Sequence, residues 1–348
     1  MISQFPYDYM HLVCLGVTRK LLGLWIKEPV QNRCRVGRNV INSISEDLLK
    51  YWKFLPFEFT RKYRSLAEMD RWKATEFRQF LLYSGPVVLK NKLPADKYEN
   101  FLDISVAIYC LSIPFYSTTH CQYAHELLCT FVKDFGKIYS EEMLVYNVHG
   151  LSHLADDVAH FGPLDNFSAF PFENFLGKFK SMIRKPNSPI QQIIRRLNET
   201  QNFQPVTVKK TDTDKQNGIP KYTHEDGPLP EIIGDFFQFK KFTYRNMKFT
   251  ATCGDNCVKV GSNVGLIRNI LTRKPCNETL VLFEAFNSVT SFFQNPLSSS
   301  DLDIYKVSKL SGNFDIAPIS EILTKYVMLP YKKNKFVIIP LIHQYNTP

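Results

Sequence analysis

Three histidines and one aspartate recur at helical spacing near the middle of the chain. They are His149, His153, Asp157 and His160, at intervals of four, four and three residues. Positions three and four residues apart share one face of an α-helix, so we expect a helix over residues 148–161 on which these side chains converge. Two histidines four residues apart fit zinc ligands, and the same spacing occurs in helices whose histidines only pack or cap. A metal site and a structural role are both open.

A glutamate followed by a run of cations forms the second chemical feature. The Gly162-Pro163 pair predicts the end of the first helix, and a second helix should begin near Phe172 with Glu173 in its first turn. The following residues are basic, and the cations are Lys178, Lys180, Arg184, Lys185, Arg195 and Arg196. One carboxylate ahead of six cations suits an acidic reaction centre beside a phosphate backbone.

The overall charge also favours a polyanionic partner. The chain has 43 Lys+Arg against 33 Asp+Glu, for a net charge of +10. Residues 56–83 interleave aromatics with cations that include Arg61, Lys62 and Arg64, as in grooves that pair with phosphates and stack on bases. A helix with a basic solvated face would show the same pattern. The charge and this interleaving therefore favour nucleic acid as partner, with these cations among the phosphate contacts.

The eight cysteines are scattered, and the residues after Met1 lack the pattern of a signal peptide. Reduced thiols in the cytosol or nucleus are expected. The longest apolar runs fall well short of about 18 residues, which predicts no membrane span. Cys253, Cys257 and Cys276 with His343 give a weak zinc motif, and buried thiols are the alternative.

The hydrophobic period changes along the chain. Up to about residue 200 it is near 3.6, which predicts helices over residues 8–26, 40–52, 70–82, 93–113 and 118–139, with 86–89 as a short run that could be a strand. Residues 204–230 are polar and predict a linker. Beyond them the period is two, which predicts a β-rich domain built as a small barrel or two-sheet sandwich. The predicted fold is α+β, with a helical region 1–203, a linker 204–230 and a β-rich domain 231–348.

Several strings in the chain resemble one known family. The string DYMH at residues 8–11, followed by Gly16, Lys20 and Leu21, resembles the D-x-M-H segment of transposases from CACTA-type (En/Spm-like) DNA transposons. The strings HGLSHL at 149–154, GPL at 162–164 and FPFENFLGK at 170–178 resemble a later segment of those enzymes. RWKATEFR at 71–78, LLYSGPVVL at 81–89 and the strand-rich end are similar to related animal proteins.

The resemblance implies a remnant of a DDE-type transposase with an RNase H-like core and a helical insertion. In that chemistry three carboxylates hold two Mg²⁺ ions that cut and join DNA ends. Asp8 would be the second ligand and Glu173 the third, with Asp156, Asp157 and Asp165 as rivals for the third. The first ligand is expected upstream of Asp8. The resemblance thus implies a nuclear DNA-binding protein, inactive alone, that could self-associate and would use Mg²⁺ only if active.

Two alternatives remain. Small barrels are more often binding modules than enzymes, so the β-rich domain could make the chain a nuclear adaptor or scaffold without nucleic acid. A metal-dependent hydrolase could use the helix with His149 and His153, although no glutamate follows the first histidine as a general base.

Overall fold

The computed structural model describes residues 4–29, 33–202, 220–230, 235–273 and 278–342. Helices occupy the described residues before 203, and an antiparallel sheet occupies those after 220. The predicted α+β fold class is confirmed. Residues 4–29 and 33–202 contain no β-strand, so the sheet of an RNase H-like core is not seen within them.

The helices follow the hydrophobic periodicity of the sequence. They are α1 (Arg19–Ile26), α2 (Arg38–Tyr51), α3 (Ala74–Gln79), α4 (Gly85–Val88), α5 (Ala95–Ser112), α6 (Pro114–Thr119), α7 (Cys121–Tyr139), α8 (Tyr146–Gly150), α9 (Leu154–Phe161), α10 (Phe170–Met182) and α11 (Pro189–Asn202). A π-helical segment, Met10–Thr18, runs directly into α1, and another, Phe80–Ser84, joins α3 to α4. Among the described helices, none is both long and apolar enough to cross a membrane.

The short apolar run at residues 86–89 is helical, so the strand considered there is wrong. Pro86 lies in the first turn of α4. A proline is tolerated at that position because its missing N–H would have no partner in the helix. Val87 and Val88 are also buried, which explains an apolar run without a helical polar face.

The helix expected over residues 148–161 is divided. It consists of α8, a 3₁₀ turn at Leu151–His153, and α9. Gly162 ends α9 with φ of 82°, a left-handed conformation that favours glycine. A Cβ at this position would come within 2.6 Å of the Asn166 side chain. The candidate ligands of this segment therefore do not share the face of one straight helix.

The strands of the described residues form an antiparallel sheet that closes on itself. They are β1 (Lys221–His224), β2 (Phe236–Tyr244), β3 (Met247–Thr250), β4 (Cys257–Val260), β5 (Asn263–Arg273), β6 (Glu278–Ser291), β7 (Tyr305–Leu310), β8 (Asp315–Pro318), β9 (Ile322–Lys332) and β10 (Lys335–Pro340). The order β5-β4-β9-β10-β7-β6 is closed by a β5–β6 pairing, which corresponds to a small barrel. Strand β1 lies inside the expected linker 204–230 and pairs with β2.

One hydrophobic core runs through both the helices and the barrel. Polar contacts cross the same boundary. Lys325 on β9 donates to Glu58 Oε2 at 2.7 Å and to Asp255 Oδ1 at 2.7 Å. The backbone N–H of Ile342 donates to the Tyr83 hydroxyl at 2.9 Å. We call the set of Lys325, Glu58 and Asp255 the helix–barrel junction.

Candidate functional site

Asp8 connects the two segments that carry the transposase-like strings. Its Oδ2 accepts hydrogen bonds from the backbone N–H of His11 at 3.0 Å and from His11 Nδ1. Its Oδ1 accepts from the backbone N–H of Met10 at 3.3 Å and of Ala169 at 2.7 Å. Ala169 is the residue directly before α10. Asp8 therefore caps the N-terminal helix and also binds a backbone donor at the start of α10.

A cleft of about 760 Å³ opens beside this contact, between the first turn of α10, the N-terminal helix and residues 60–75. We call it the Glu173 cleft, and its polar lining includes His11, Arg61, Lys73, Glu173 and Asn174. Glu173 is exposed in the first turn of α10, where the helix dipole favours a carboxylate. The fold thus places Glu173 in the same cleft as His11, the partner of Asp8.

The Asp8 carboxylate has little free capacity to bind Mg²⁺. A carboxylate offers about four lone-pair sites, and four hydrogen bonds occupy those of Asp8. The described residues contain no group of three or more His, Cys, Asp or Glu side chains that could hold a metal ion. A cation at Asp8 would have to displace the bonds that cap two helices. Asp8 and Glu173, as arranged, do not fit the expected Mg²⁺ site.

Arg78 lies behind the Glu173 cleft rather than on the surface. Its Nη2 donates to Asp165 Oδ2 at 2.7 Å, and both side chains are largely buried. Its guanidinium carbon lies 5.7 Å from the ring centre of Tyr9 and 5.6 Å from that of Phe170, the first residue of α10. Arg78 therefore holds the start of α10 against the N-terminal helix. Asp165, a rival catalytic carboxylate, is paired with this cation.

The predicted DNA-contacting cations of residues 61–64 divide into two groups. Arg61 lines the Glu173 cleft, and Lys62 Nζ lies 4.4 Å from the ring centre of exposed Trp52. Arg64 instead donates through Nε and Nη2 to the buried Glu76 carboxylate at 2.7 and 2.6 Å. These bonds raise the pKa of Arg64. Its guanidinium is thus bound to Glu76 within the protein. The prediction that Arg64 contacts DNA phosphates is therefore corrected, and Arg64 is removed from the predicted DNA-contacting residues.

Residues 170–202, the α10–α11 hairpin, present the second group of predicted cations. Lys178, Lys180, Arg184 and Lys185 are exposed and, within the part of the chain described, pair with no carboxylate. Arg196 is half-buried, and Arg195 Nε donates to Glu199 Oε1, one helical turn away, at 2.9 Å. Four of the six cations are therefore free to contact an outside anion.

Gln192 orders the turn between α10 and α11. Its Oε1 accepts from the backbone N–H groups of Arg184 at 3.0 Å and Lys185 at 3.2 Å. Its Nε2 donates to the carbonyls of Lys185 at 2.8 Å and Asn187 at 2.7 Å. The backbone that carries the two cations is therefore held in one conformation. Neither spacing nor charge marked Gln192 in the sequence.

The histidine segment makes ring contacts, and Asp157 accepts a long-range hydrogen bond. Asp157 Oδ2 accepts from the backbone N–H of Tyr7 at 2.8 Å. The His153 ring stacks on Tyr7 and meets His149 edge to face, with ring centres 6.4 and 5.3 Å apart. His160 packs against the adjacent Phe161 ring. His149, His153 and Asp157 do not form a group that could hold a metal in the described structure.

The structure describes two members of the cysteine motif. Cys253 and Cys257 are free thiols, and burial raises the pKa of both. Cys276 and His343 lie outside the described residues.

Comparison with known proteins identifies one domain. Residues 223–341 match the family model of a domain of unknown function, DUF8592. The match runs from β1 to the residue after β10 and so corresponds to the strand-rich part of the chain. No curated protein and no solved structure matches the chain.

Residues of the Glu173 cleft outside the predicted site include the polar side chains of His11, Lys73 and Asn174. His11 could be found from the sequence, because it ends the DYMH string one helical turn after Asp8. Lys73 is one of many cations in its segment, and Asn174 is a polar residue next to Glu173. Their place in the cleft depends on how α10 docks, which local sequence does not reveal.

Proposed function

We propose that this chain is a transposase-derived DNA-binding protein that holds duplex DNA by its phosphate backbone on the α10–α11 hairpin. The observation that carries the proposal is the set of four exposed, unpaired cations, Lys178, Lys180, Arg184 and Lys185, on that hairpin. Cations already bound to carboxylates would have to break those pairs before contacting phosphate. Unpaired ones exchange only solvent and counterions, and the released counterions drive association.

The two strings that resemble transposases, DYMH at residues 8–11 and FPFENFLGK at 170–178, lie close together, and this supports the transposase-derived part of the proposal. Asp8 of the DYMH string bonds the residue before α10, and Glu173 of the FPFENFLGK string faces the cleft beside it. Arg61 lines the same cleft. A duplex on the hairpin would thus run next to the acidic residues. Nuclear location and self-association are expected of such a protein and stay predictions. The proposed activity is binding without cleavage, because Asp8 and Glu173 do not fit the Mg²⁺ site that cleavage would need.

The salt dependence of binding to a labelled duplex tests this function. If four phosphates are neutralised, the logarithm of the affinity should fall against the logarithm of salt with a slope of about −3.6. Replacing Arg184 and Lys185 with Ala should bring the slope to about −1.8 and weaken all duplex sequences alike. Fluorescence anisotropy at a series of salt concentrations measures both quantities.

A matched control separates local contact from general charge. Lys333 and Lys335, at the β9–β10 turn, are exposed, and replacing both with Ala removes the same charge from the barrel instead of the hairpin. This variant should keep the full slope. Equal flattening in both variants, or no duplex binding at low salt, would contradict the proposal and favour an adaptor that acts through the barrel.

A further inference from the structure

A second cleft lies between α5, α7 and the loop at residues 295–296, and it shares no residue with the Glu173 cleft. It has a volume of about 440 Å³. We call it the Asp103 cleft. Its carboxylates are Asp96, Glu99 and Asp103 from α5 and Asp134 from α7, and its apolar walls include Ile138 and Pro296.

The carboxylates of α5 form a row along the helix. Asp96, Glu99 and Asp103 are three and four residues apart, so they lie on one face. At about 1.5 Å of rise per residue the row extends over about 10 Å. Like charges at this spacing repel one another and destabilise the helix unless a cation offsets them.

The charges that face Asp103 are mostly of its own sign. Burial raises the pKa of Asp103 to about 7, and the charges of Asp134 and Glu99 add to the shift. A cation on this side is Lys137, whose Nζ binds Asp134 Oδ1 at 2.6 Å and is itself exposed. Tyr123, also on α7, donates its hydroxyl proton to the Pro296 carbonyl at 2.9 Å. The cleft therefore carries uncompensated negative charge at neutral pH.

Asn100 supplies an independent sign of a missing ligand. It lines the cleft and is 3% exposed. Its Nδ2 donates to the Phe131 carbonyl at 3.0 Å, while its Oδ1 has no hydrogen-bond partner. A buried amide oxygen without a donor is costly and uncommon in folded proteins. A donor entering the cleft would satisfy it.

We propose that the Asp103 cleft binds a linear aliphatic polyamine, whose ammonium groups pair with the carboxylate row and whose N–H reaches Asn100 Oδ1. The methylenes between the ammonium groups would lie against Ile138 and Pro296. This site is separate from the DNA-binding surface, and the proposal does not rest on the proposed function.

The shape of the cleft favours this ligand over a metal ion. A calcium ion needs six to eight oxygens converging at about 2.3–2.6 Å. The carboxylates of α5 instead follow one another along the helix, and the described residues form no group that could hold a metal. A cation with several charges spread along a flexible chain matches a row of acids. All side-chain partners it would meet here accept hydrogen bonds, and ammonium groups only donate.

Calorimetric titration of the whole chain with spermidine, without DNA, tests the site. Asp103→Asn removes one charge at nearly constant shape and should weaken binding about tenfold, as expected for the loss of one charge-assisted hydrogen bond. Glu46→Gln, at an exposed position of α2 away from the cleft, is the matched control and should bind as the unmodified chain does. Circular dichroism checks that both variants fold.

Two further measurements decide between a built site and general charge attraction. Affinity for spermidine should rise between pH 6 and pH 8 as Asp103 loses its proton, and this rise should disappear in Asp103→Asn. Mg²⁺ at matched ionic strength should not compete beyond its screening effect. No saturable binding at millimolar spermidine, equal loss in both variants, or full displacement by Mg²⁺ would overturn the proposal.

Discussion

The helix–barrel junction and the α10–α11 hairpin represent opposite uses of charge in one chain. At the junction Lys325 is 0% exposed, and its ammonium group binds Glu58, Asp255 and the Lys248 carbonyl. On the hairpin Lys178, Lys180, Arg184 and Lys185 are exposed, and α10 has no buried side chain. Large apolar residues are also exposed there, among them Phe172, Phe175, Leu176, Ile190 and Ile194.

The difference shows where each region gains its stability. At the junction three charges lose their hydration, and direct hydrogen bonds between them offset that free-energy cost. Each partner therefore depends on the others. The hairpin keeps its hydration and is held mainly at its start, by Asp8 and Arg78. We therefore expect charge changes to destabilise the junction and to alter only binding on the hairpin.

The largest effect should follow from removing Lys325. Lys325→Ala leaves the largely buried Glu58 without this cation and Asp255 with Lys248 Nζ 3.8 Å away, and the free energy of unfolding should fall by about 3–5 kcal/mol. Lys259→Ala is the control, because its partner Asp303 is partly exposed. This second loss should be at most about 1 kcal/mol. Urea unfolding measures both, and similar losses would remove the distinction between buried and exposed pairs.

Removing Asp8 tests how the hairpin is attached. Asp8→Ala deletes the cap of the N-terminal helix and the bond to Ala169, and should cost about 1–2 kcal/mol. Glu173→Ala, at an exposed position, should change stability by less than about 0.5 kcal/mol. Unfolding in the presence of a chelator measures both. If Asp8 were poised as a metal ligand instead, its removal without metal would relieve repulsion and raise stability.

The uncompensated charge at Asp103 should make the free energy of unfolding depend on pH. Between about pH 4 and pH 7 the unfolded chain releases the Asp103 proton while the folded chain holds it, so raising the pH lowers stability. The full cost is reached above pH 7, and none remains below the unfolded pKa. Asp103→Asn should therefore stabilise the protein more at pH 8 than at pH 5 in denaturant titrations. An equal difference at both values would exclude the raised pKa.

The smallest effect is expected on the apolar face of the hairpin. Phe175→Ala should shift the free energy of unfolding by no more than about 0.5 kcal/mol, because the side chain is about half exposed. Phe135→Ala on α7 removes a fully buried ring and should cost about 3–5 kcal/mol. Thermal or urea unfolding of the pair measures the contrast. A large loss at Phe175 would show that the hairpin is packed in solution.

Local sequence determined the type and approximate limits of most elements. Residues 93–113 and 118–139 carried a helical period and became α5 (Ala95–Ser112) and α7 (Cys121–Tyr139). The change to a period of two marked the barrel strands, although β1 falls within the segment predicted as a linker. These features are readable because periodicity is set by neighbours within one or two turns.

The tertiary structure alone decided the roles of the charged residues. Arg64 and Arg78 looked like the exposed cations of a DNA groove, yet Glu76 and Asp165 draw them inward. Asp8 looked like a metal ligand, yet it caps helices whose donors come from His11 and the distant Ala169. The residue that a charged side chain contacts across the fold decides whether that side chain forms an internal ion pair or stays available to a ligand. That partner is chosen by packing between distant segments, so amino-acid type and local spacing determine that a group is charged but not what it binds.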